Sequence, residues 1–133
     1  MPKADPSMPA ARPRPERVAA FRAGLSAESR AALLLLCKGF RIVARRWKTP
    51  VGEIDLIARR GRLLVFAEVK TRQRLDDAAE SLSEAQRRRI VAAAHAWLGR
   101  HPADAVADIR FDVILVAPGR WPRHIKSAFD ASR

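Results

Sequence analysis

The chain has 133 residues and a mass of 14.8 kDa, which is the size of a single domain. Lysines and arginines number 26 against 14 acids, so the formal charge is +12 and an anionic partner, most often nucleic acid, is favoured. The single cysteine, Cys37, excludes an internal disulfide, and with only three scattered histidines a closed Cys/His zinc site is excluded too. Carboxylates must therefore supply most ligands of any metal site.

The N-terminal segment is predicted to be a disordered tail rich in proline and arginine. Residues 1–23 hold five of the nine prolines and a charge of +3, which leaves +9 for a single domain predicted over residues 24–133. The segment has no continuous apolar stretch before its arginines, so it does not resemble a secretory signal. The longest apolar run, Ala31–Cys37, is far shorter than the ~20 residues of a spanning helix. We expect a cytoplasmic protein without membrane contact.

Hydrophobic spacing and capping residues predict seven elements in the order α-β-β-β-α-β-β. The predicted elements are a helix from the N-cap Ser26 to Gly39, strands over Phe40–Trp47, Gly52–Arg59 and Arg62–Thr71, a helix over Ser83–Arg100 with Ser83 as its N-cap, and strands over Phe111–Ala117 and His124–Phe129. In the first strand, Phe40, Ile42 and Ala44 are predicted to share one face. The order predicts an α/β fold with one sheet flanked by helices.

An acidic cluster is predicted at the open end of the hairpin formed by the second and third strands. Side chains alternate along a strand, so Glu53 and Asp55 share one face, as do Glu68 and Lys70. A two-residue loop at residues 60–61 would put Glu53 opposite Glu68. Asp55 and Glu68 would then be diagonal neighbours, roughly 7–8 Å apart at their Cα atoms.

Acids that face each other across paired strands repel, and a divalent cation would remove that repulsion. Carboxylate oxygens favour Mg²⁺ or Mn²⁺ over zinc. A lysine two residues after a ligand lies on the same face, where it can orient a water or stabilise phosphate charge. The cluster predicts metal-assisted hydrolysis of phosphodiester bonds. The alternative is a solvated hairpin face, on which Lys70 forms ion pairs with Glu53 and Glu68.

Two basic stretches are predicted to contact nucleic acid. Residues 45–48 join cations to an aromatic ring, which suits backbone contact with base stacking, although Trp47 fits a core position nearly as well. Residues 87–89 form either a phosphate-binding ridge on the second helix or a solvated helix face. The side chains assigned to nucleic-acid binding are Arg45, Arg46, Trp47, Lys48, Arg72, Arg87, Arg88 and Arg89.

Four further residues carry weaker patterns. Glu28, early in the first helix, favours the helix dipole from that position. Asp112 and His124 are expected to have structural roles in the last two strands. Cys37 is expected to be a buried small apolar residue.

The hairpin sequence resembles a known family. Residues 52–58 (G-E-I-D-L-I-A) and 66–72 (F-A-E-V-K-T-R) resemble the YraN-like family of small bacterial proteins. That family is a branch of the restriction-endonuclease-like superfamily, which includes the archaeal Holliday junction resolvases. The superfamily's catalytic pattern is an Asp followed, after a gap, by Asp/Glu-x-Lys, which Asp55 and residues 68–70 match. The resemblance runs from about Gly24 to Phe129.

The resemblance implies a restriction-endonuclease-like αβββαβ core, with a mixed sheet flanked by helices, and a metal-dependent endonuclease. In that reading Asp55 and Glu68 bind Mg²⁺ or Mn²⁺ with the Val69 carbonyl, Lys70 positions the attacking water, and Glu53 and Glu28 support the metal or a second one. DNA, including branched DNA, is expected in preference to RNA. A homodimer is compatible with the resemblance, because the resolvases act as dimers on two-fold symmetric substrates. The alternative is a nucleic-acid-binding module on the same fold that does not cleave.

Overall fold

The structure is a computed structural model that describes residues 25–73 and 82–131, so the predicted tail over residues 1–23 lies outside the described residues. Its elements are α1 (Ala27–Cys37), β1 (Arg41–Thr49), β2 (Gly52–Arg60), β3 (Leu63–Thr71), α2 (Glu84–Arg100), a short 3-10 helix (Pro102–Val106), β4 (Asp108–Val116) and β5 (Arg123–Phe129). The predicted order of helices and strands is confirmed, and the 3-10 helix is an addition.

Both helices begin at the predicted caps. The Ser26 side chain accepts a hydrogen bond from the backbone N–H of Ser29 at the start of α1. Ser83 and Gln86 form a reciprocal capping box at the start of α2. The helices have 11 and 17 residues, and no helix in the described part of the chain is long and apolar enough to cross a membrane.

The strands form one mixed sheet in the order β1-β2-β3-β4-β5. Only β3 and β4 pair in parallel, and α2 lies in the crossover between them. One apolar cluster packs a sheet face against Ile90 and Trp97 of α2, and a second packs the other face against Leu35 of α1. The predicted α/β class, a mixed sheet flanked by helices, is confirmed and is compatible with a restriction-endonuclease-like core.

The predicted alternation along β1 is wrong after Ile42. The pairing with β2 shifts by one residue between Ile42 and Ala44, which marks a β-bulge. Phe40 and Ile42 therefore pack on the α1 side, whereas Val43 and Ala44 pack on the α2 side. Because of the extra residue, every side chain after it in β1 points to the sheet face opposite to the predicted one.

The turn between β2 and β3 also differs from the prediction by one residue. Arg60 pairs with Leu63, so the two-residue loop is Gly61-Arg62 and not Arg60-Gly61. Gly61 has φ +60°, as expected for a glycine at the first position of a type II′ hairpin turn. The predicted pairing of Arg59 with Arg62 is therefore wrong, and Arg59 lies opposite Leu64.

A buried polar network joins β4, β5 and the end of α1. Asp112, fully buried, accepts two hydrogen bonds of 2.8 Å from Arg110 and one of 3.0 Å from the backbone N–H of Ser127. The Nε2 atom of His124 lies 2.6 Å from the same carboxylate, and its Nδ1 atom lies 2.9 Å from Nζ of Lys38. Burial alone would raise the pKa of Asp112, but these bonds outweigh it and hold the pKa at about 2. The contacts agree with the structural roles expected for Asp112 and His124.

The C-terminal end of α1 does not match the expected burial. Ala31, Leu34 and Leu35 are buried against the sheet, but Leu36 is 53% exposed and Cys37 is exposed as well. The expectation of a buried Cys37 is wrong. Residues 31–37 are all apolar, but only one side of the helix meets the sheet, and Cys37 is not on that side.

α2 approaches β2 so closely at Gly52 that only glycine fits. A Cβ atom there would lie 2.2 Å from the backbone oxygen of Arg89. We predict that Gly52→Ala lowers the free energy of unfolding by about 1–3 kcal/mol, the usual cost of overpacking, in urea titrations.

The matched control is Gly99→Ala near the end of α2, where an added Cβ meets nothing within 4 Å. Helix propensity should make that variant more stable by about 0.5–1 kcal/mol. A Gly52→Ala variant as stable as the parent would show that α2 is not held against β2 in this way.

Candidate active site

A cleft of about 260 Å³ lies between the open end of the β2–β3 hairpin and α2. Its lining residues are Glu53, Asp55, Glu68, Gln86, Arg89 and Ile90. The structure therefore brings three of the five predicted catalytic residues into one cleft, together with one of the predicted nucleic-acid-binding arginines.

Asp55 and Glu68 lie closer together than the sequence predicted. The β2–β3 ladder ends at the pair Leu56–Ala67, and one further step in this register puts Asp55 directly opposite Glu68. The predicted pairing of Glu53 with Glu68 is wrong for the same reason, the shifted turn. Asp55 Oδ2 accepts a 2.8 Å hydrogen bond from the backbone N–H of Val69. At the end of the ladder, the backbone N–H of Val69 therefore donates to the side chain of Asp55 and not to a backbone carbonyl.

The pKa values of both carboxyls are raised. Burial, followed by the negative charge of Asp55, raises the pKa of Glu68 to about 7, although Lys70 opposes the shift. Burial also raises the pKa of Asp55, and the N–H of Val69 only partly offsets it. Lys70 Nζ lies 3.6 Å from Glu68 Oε1, and both side chains are less than one-fifth exposed. Near neutral pH the pair therefore retains a proton unless a cation compensates its charge.

Glu28 is held by arginines from the strand beside β2. Its carboxylate accepts hydrogen bonds from Arg45 Nε at 2.9 Å and from Arg46 Nε at 2.6 Å. Burial would raise the pKa of Glu28, but these two bonds outweigh it and lower the pKa. The charge of Glu28 still contributes to the raised pKa of Asp55. Two predicted nucleic-acid contacts, Arg45 and Arg46, are thus ion-paired with a predicted catalytic residue.

The three arginines at residues 87–89 do not form one ridge. Arg89 lines the acidic cleft, and Arg88 lies 3.8 Å from Glu84 on the exposed side of α2. Arg87 lines a separate cleft of about 440 Å³ beside the ends of β4 and β5, where its Nε atom is buried without a partner among the described residues. Only Arg89 of this group adjoins the carboxylate pair.

The other predicted nucleic-acid residues lie in different surroundings. Trp47 is half-buried, with its ring edge-on to Trp97 at 5.2 Å between centroids, which is the core position considered for it. Lys48 is exposed on β1 opposite Glu53. Arg72, just after β3, donates its backbone N–H to the Val116 carbonyl at 2.8 Å.

Sequence reasoning did not assign Gln86 and Ile90 to this site. Their spacing of four residues, with Arg89 between them, is the signal that could have done so, since such positions share one side of a helix. The capping box fixes where α2 begins and therefore which side faces the hairpin.

The carboxylate pair offers few ligands for a metal ion. Within residues 25–73 and 82–131, no group of three or more His, Cys, Asp or Glu side chains lies close enough together to hold a metal ion. Asp55 and Glu68 are two hard oxygen donors in one cleft. Mg²⁺ is commonly bound by one or two carboxylates, with waters and substrate phosphates as its remaining ligands.

Comparison with known proteins identifies the family. The model of the family described as "Uncharacterised protein family UPF0102" matches residues 27–116, which is more than half of the chain. The chain belongs to the UPF0102 family. The resemblance to the YraN-like family, inferred from residues 52–58 and 66–72, is thereby confirmed. The matched segment runs from α1 to the end of β4 and contains the whole carboxylate cluster.

Several curated UPF0102 proteins are similar over most of their length. A UPF0102 protein of Rhodopseudomonas palustris (strain BisB5) is 58% identical over 93% of this chain and 95% of its own. One of Bradyrhizobium sp. (strain BTAi1 / ATCC BAA-1182) is 60% identical over 97% of this chain and 93% of its own. One of Nitrobacter winogradskyi is 59% identical over 87% of this chain and 98% of its own.

The raised pKa of Glu68 predicts how stability depends on pH. The folded pKa of about 7 lies above the unfolded value of ~4.3, so the carboxyl's contribution to stability falls as pH rises between those values. Glu68→Gln cannot ionise and should be more stable than the parent at pH 8 without divalent metal. We expect a difference of about 1–3 kcal/mol, which should shrink towards zero near pH 4.

Urea titrations at several pH values in a chelator would measure this difference. The matched control is Glu84→Gln, which removes an exposed glutamate from the first turn of α2. A Glu68→Gln variant that loses stability relative to the parent as pH rises would contradict the described electrostatics.

Proposed function

We propose that this UPF0102 protein is a metal-dependent endonuclease that hydrolyses phosphodiester bonds, with DNA favoured over RNA. The supporting observation is that Asp55 and Glu68 meet in a cleft with raised pKa values, while Lys70 lies beside Glu68. In a chain of charge +12, a surface that only bound phosphate would gain nothing from acids in its cleft. Repelling carboxylates at such a place are more consistent with catalysis than with binding alone.

Asp55 and Glu68, with the Val69 carbonyl, are the residues that would hold Mg²⁺ or Mn²⁺. The ion, when bound, would polarise the phosphate and lower the pKa of a water. The backbone N–H of Val69 orients Asp55 towards the cleft through its 2.8 Å hydrogen bond. Glu53, exposed at the cleft mouth, is placed to hold a water or support a second cation.

Lys70 has the second chemical role. Its ammonium group is mostly buried beside Glu68, so it can donate a hydrogen bond to the attacking water and stabilise charge that develops on the phosphate. Arg89, on the opposite wall of the cleft, is placed to contact a substrate phosphate. We place this activity in the cytoplasm, and a homodimer would suit two-fold symmetric branched DNA.

A cleavage screen with Lys70→Met tests the proposal. Linear, branched and single-stranded DNA and RNA would be incubated with Mg²⁺ or Mn²⁺. Methionine keeps most of the apolar stem, so the fold should persist. Cleavage should fall by at least ~10²–10³-fold, the usual cost of removing one preorganised stabiliser.

The matched control is Lys126→Met, which removes an exposed lysine from β5 and should leave the rate unchanged. A Lys70→Met variant that cuts as fast as the parent would remove Lys70 from the chemistry. If the parent binds nucleic acid but cuts none with either metal, the chain is the non-cleaving binding module.

A further inference from the structure

The loop between β4 and β5 carries an exposed tryptophan between arginines. Residues 117–123 read A-P-G-R-W-P-R, and Trp121 is 40% exposed. The loop lies after residue 116, where the match to the family model ends. Tryptophan combines a large apolar ring with a polar N–H, and at this exposure part of the ring is open to a ligand.

Contacts with α1 hold the loop in one shape. Arg30 Nη2 donates hydrogen bonds to the backbone oxygens of Ala117 at 2.9 Å and of Arg120 at 2.5 Å. Gly119 has φ +68°, a conformation that glycine adopts without strain. Prolines on both sides of the Gly-Arg-Trp segment restrict the backbone further. A ring presented by a fixed loop loses little conformational entropy when it binds a ligand.

The loop lies at the same end of the sheet as the carboxylate pair. β4 runs parallel to β3, with Thr71 beside Val116, and the loop follows directly after Val116. Lys70 immediately precedes Thr71 on β3. The loop therefore begins one strand away from the end of β3 that carries Lys70, and Arg30 holds it on the α1 side of the sheet.

The charge around Trp121 favours a polyanion. Arg120 and Arg123 flank the ring, and the sequence has no acidic residue between Asp112 and Asp130. Arginines beside an aromatic ring combine phosphate contact with stacking on a base. Stacking needs a base whose face is accessible, which a continuous duplex does not offer away from its ends.

We propose that Trp121 is a base-stacking residue that selects nucleic acid carrying unpaired bases beside a duplex. This inference rests on the proposed function for the kind of ligand, and it defines the substrate class. Forked and flap-like ends belong to the class, and blunt duplexes do not.

Measuring nucleic-acid binding without divalent metal tests the role of Trp121 independently of cleavage. Fluorescence anisotropy would compare a forked DNA that has single-stranded arms with a blunt duplex of equal length. Trp121→Ala should weaken fork binding about 5- to 150-fold, the cost of losing one stacked base, and leave duplex binding unchanged. Trp121→Phe should retain most of the fork affinity. The salt dependence of binding should not change in either variant, because no charge is removed.

The matched control is Leu36→Ala, another exposed apolar side chain, at the end of α1. It should leave the binding of both probes unchanged. A second measurement uses the parent chain alone: a photoreactive iodouracil in the single-stranded arm should crosslink to Trp121. Crosslinking elsewhere would overturn the inference.

Other outcomes distinguish the two proposals. If Trp121→Ala weakens the binding of fork and duplex equally, or weakens the binding of neither, the proposed selectivity by base stacking is wrong. Nucleic-acid binding by the parent would still stand. If fork selectivity depends on Trp121 but no substrate is ever cut, the inference holds for binding and the proposed nuclease activity is wrong. If the parent binds neither probe, both proposals are wrong.

Discussion

Two partly buried carboxylates, Asp55 and Glu68, face each other where β2 and β3 stop pairing. Burial disfavours the charged form of each, and the two repel when both are ionised, so the surrounding structure must hold them there. Apolar clusters on both faces of the sheet fix the two strands, and α2 closes the cleft through its contact at Gly52. The hydrophobic core therefore stabilises an arrangement that electrostatics opposes, as is common where charged groups are arranged for chemistry.

The positive charge of the chain is less available to a ligand than composition suggests. Arg45 and Arg46 bind Glu28, Arg59 binds Asp104, and Arg110 binds the buried Asp112. The first two pairs join α1 to β1, the third joins β2 to the 3-10 helix, and the last lies within β4. The arginines that adjoin the cleft and the β4–β5 loop, Arg89 and Arg120 among them, are the better candidates for phosphate contact. Net charge predicts the class of partner, and the pairing of individual arginines restricts where it can bind.

Sequence patterns predicted the family, the order of elements, both helix caps and the residues of the carboxylate cluster. They failed where the backbone conformation of a single residue decides the strand register or the sheet face of a side chain. Gly61 takes the first turn position, which shifts the hairpin register and puts Asp55, not Glu53, opposite Glu68. The β1 bulge depends on pairing with β2 and leaves no mark in the alternation itself. The exposure of Cys37 depends on how α1 is rotated against the sheet, which the continuous apolar run over residues 31–37 does not specify.

Calorimetric titration of Mn²⁺ into the parent and Asp55→Asn tests the central claim, a shared cation site, most directly. The parent should bind Mn²⁺ and release protons as it does so, because ligands must be deprotonated and the pKa of Glu68 is about 7. Release should approach about one proton at pH 6 and be much smaller at pH 8. Asp55→Asn should lose most of the affinity, while Glu84→Gln should keep it. Equal Mn²⁺ affinity in Asp55→Asn and the parent would contradict the account.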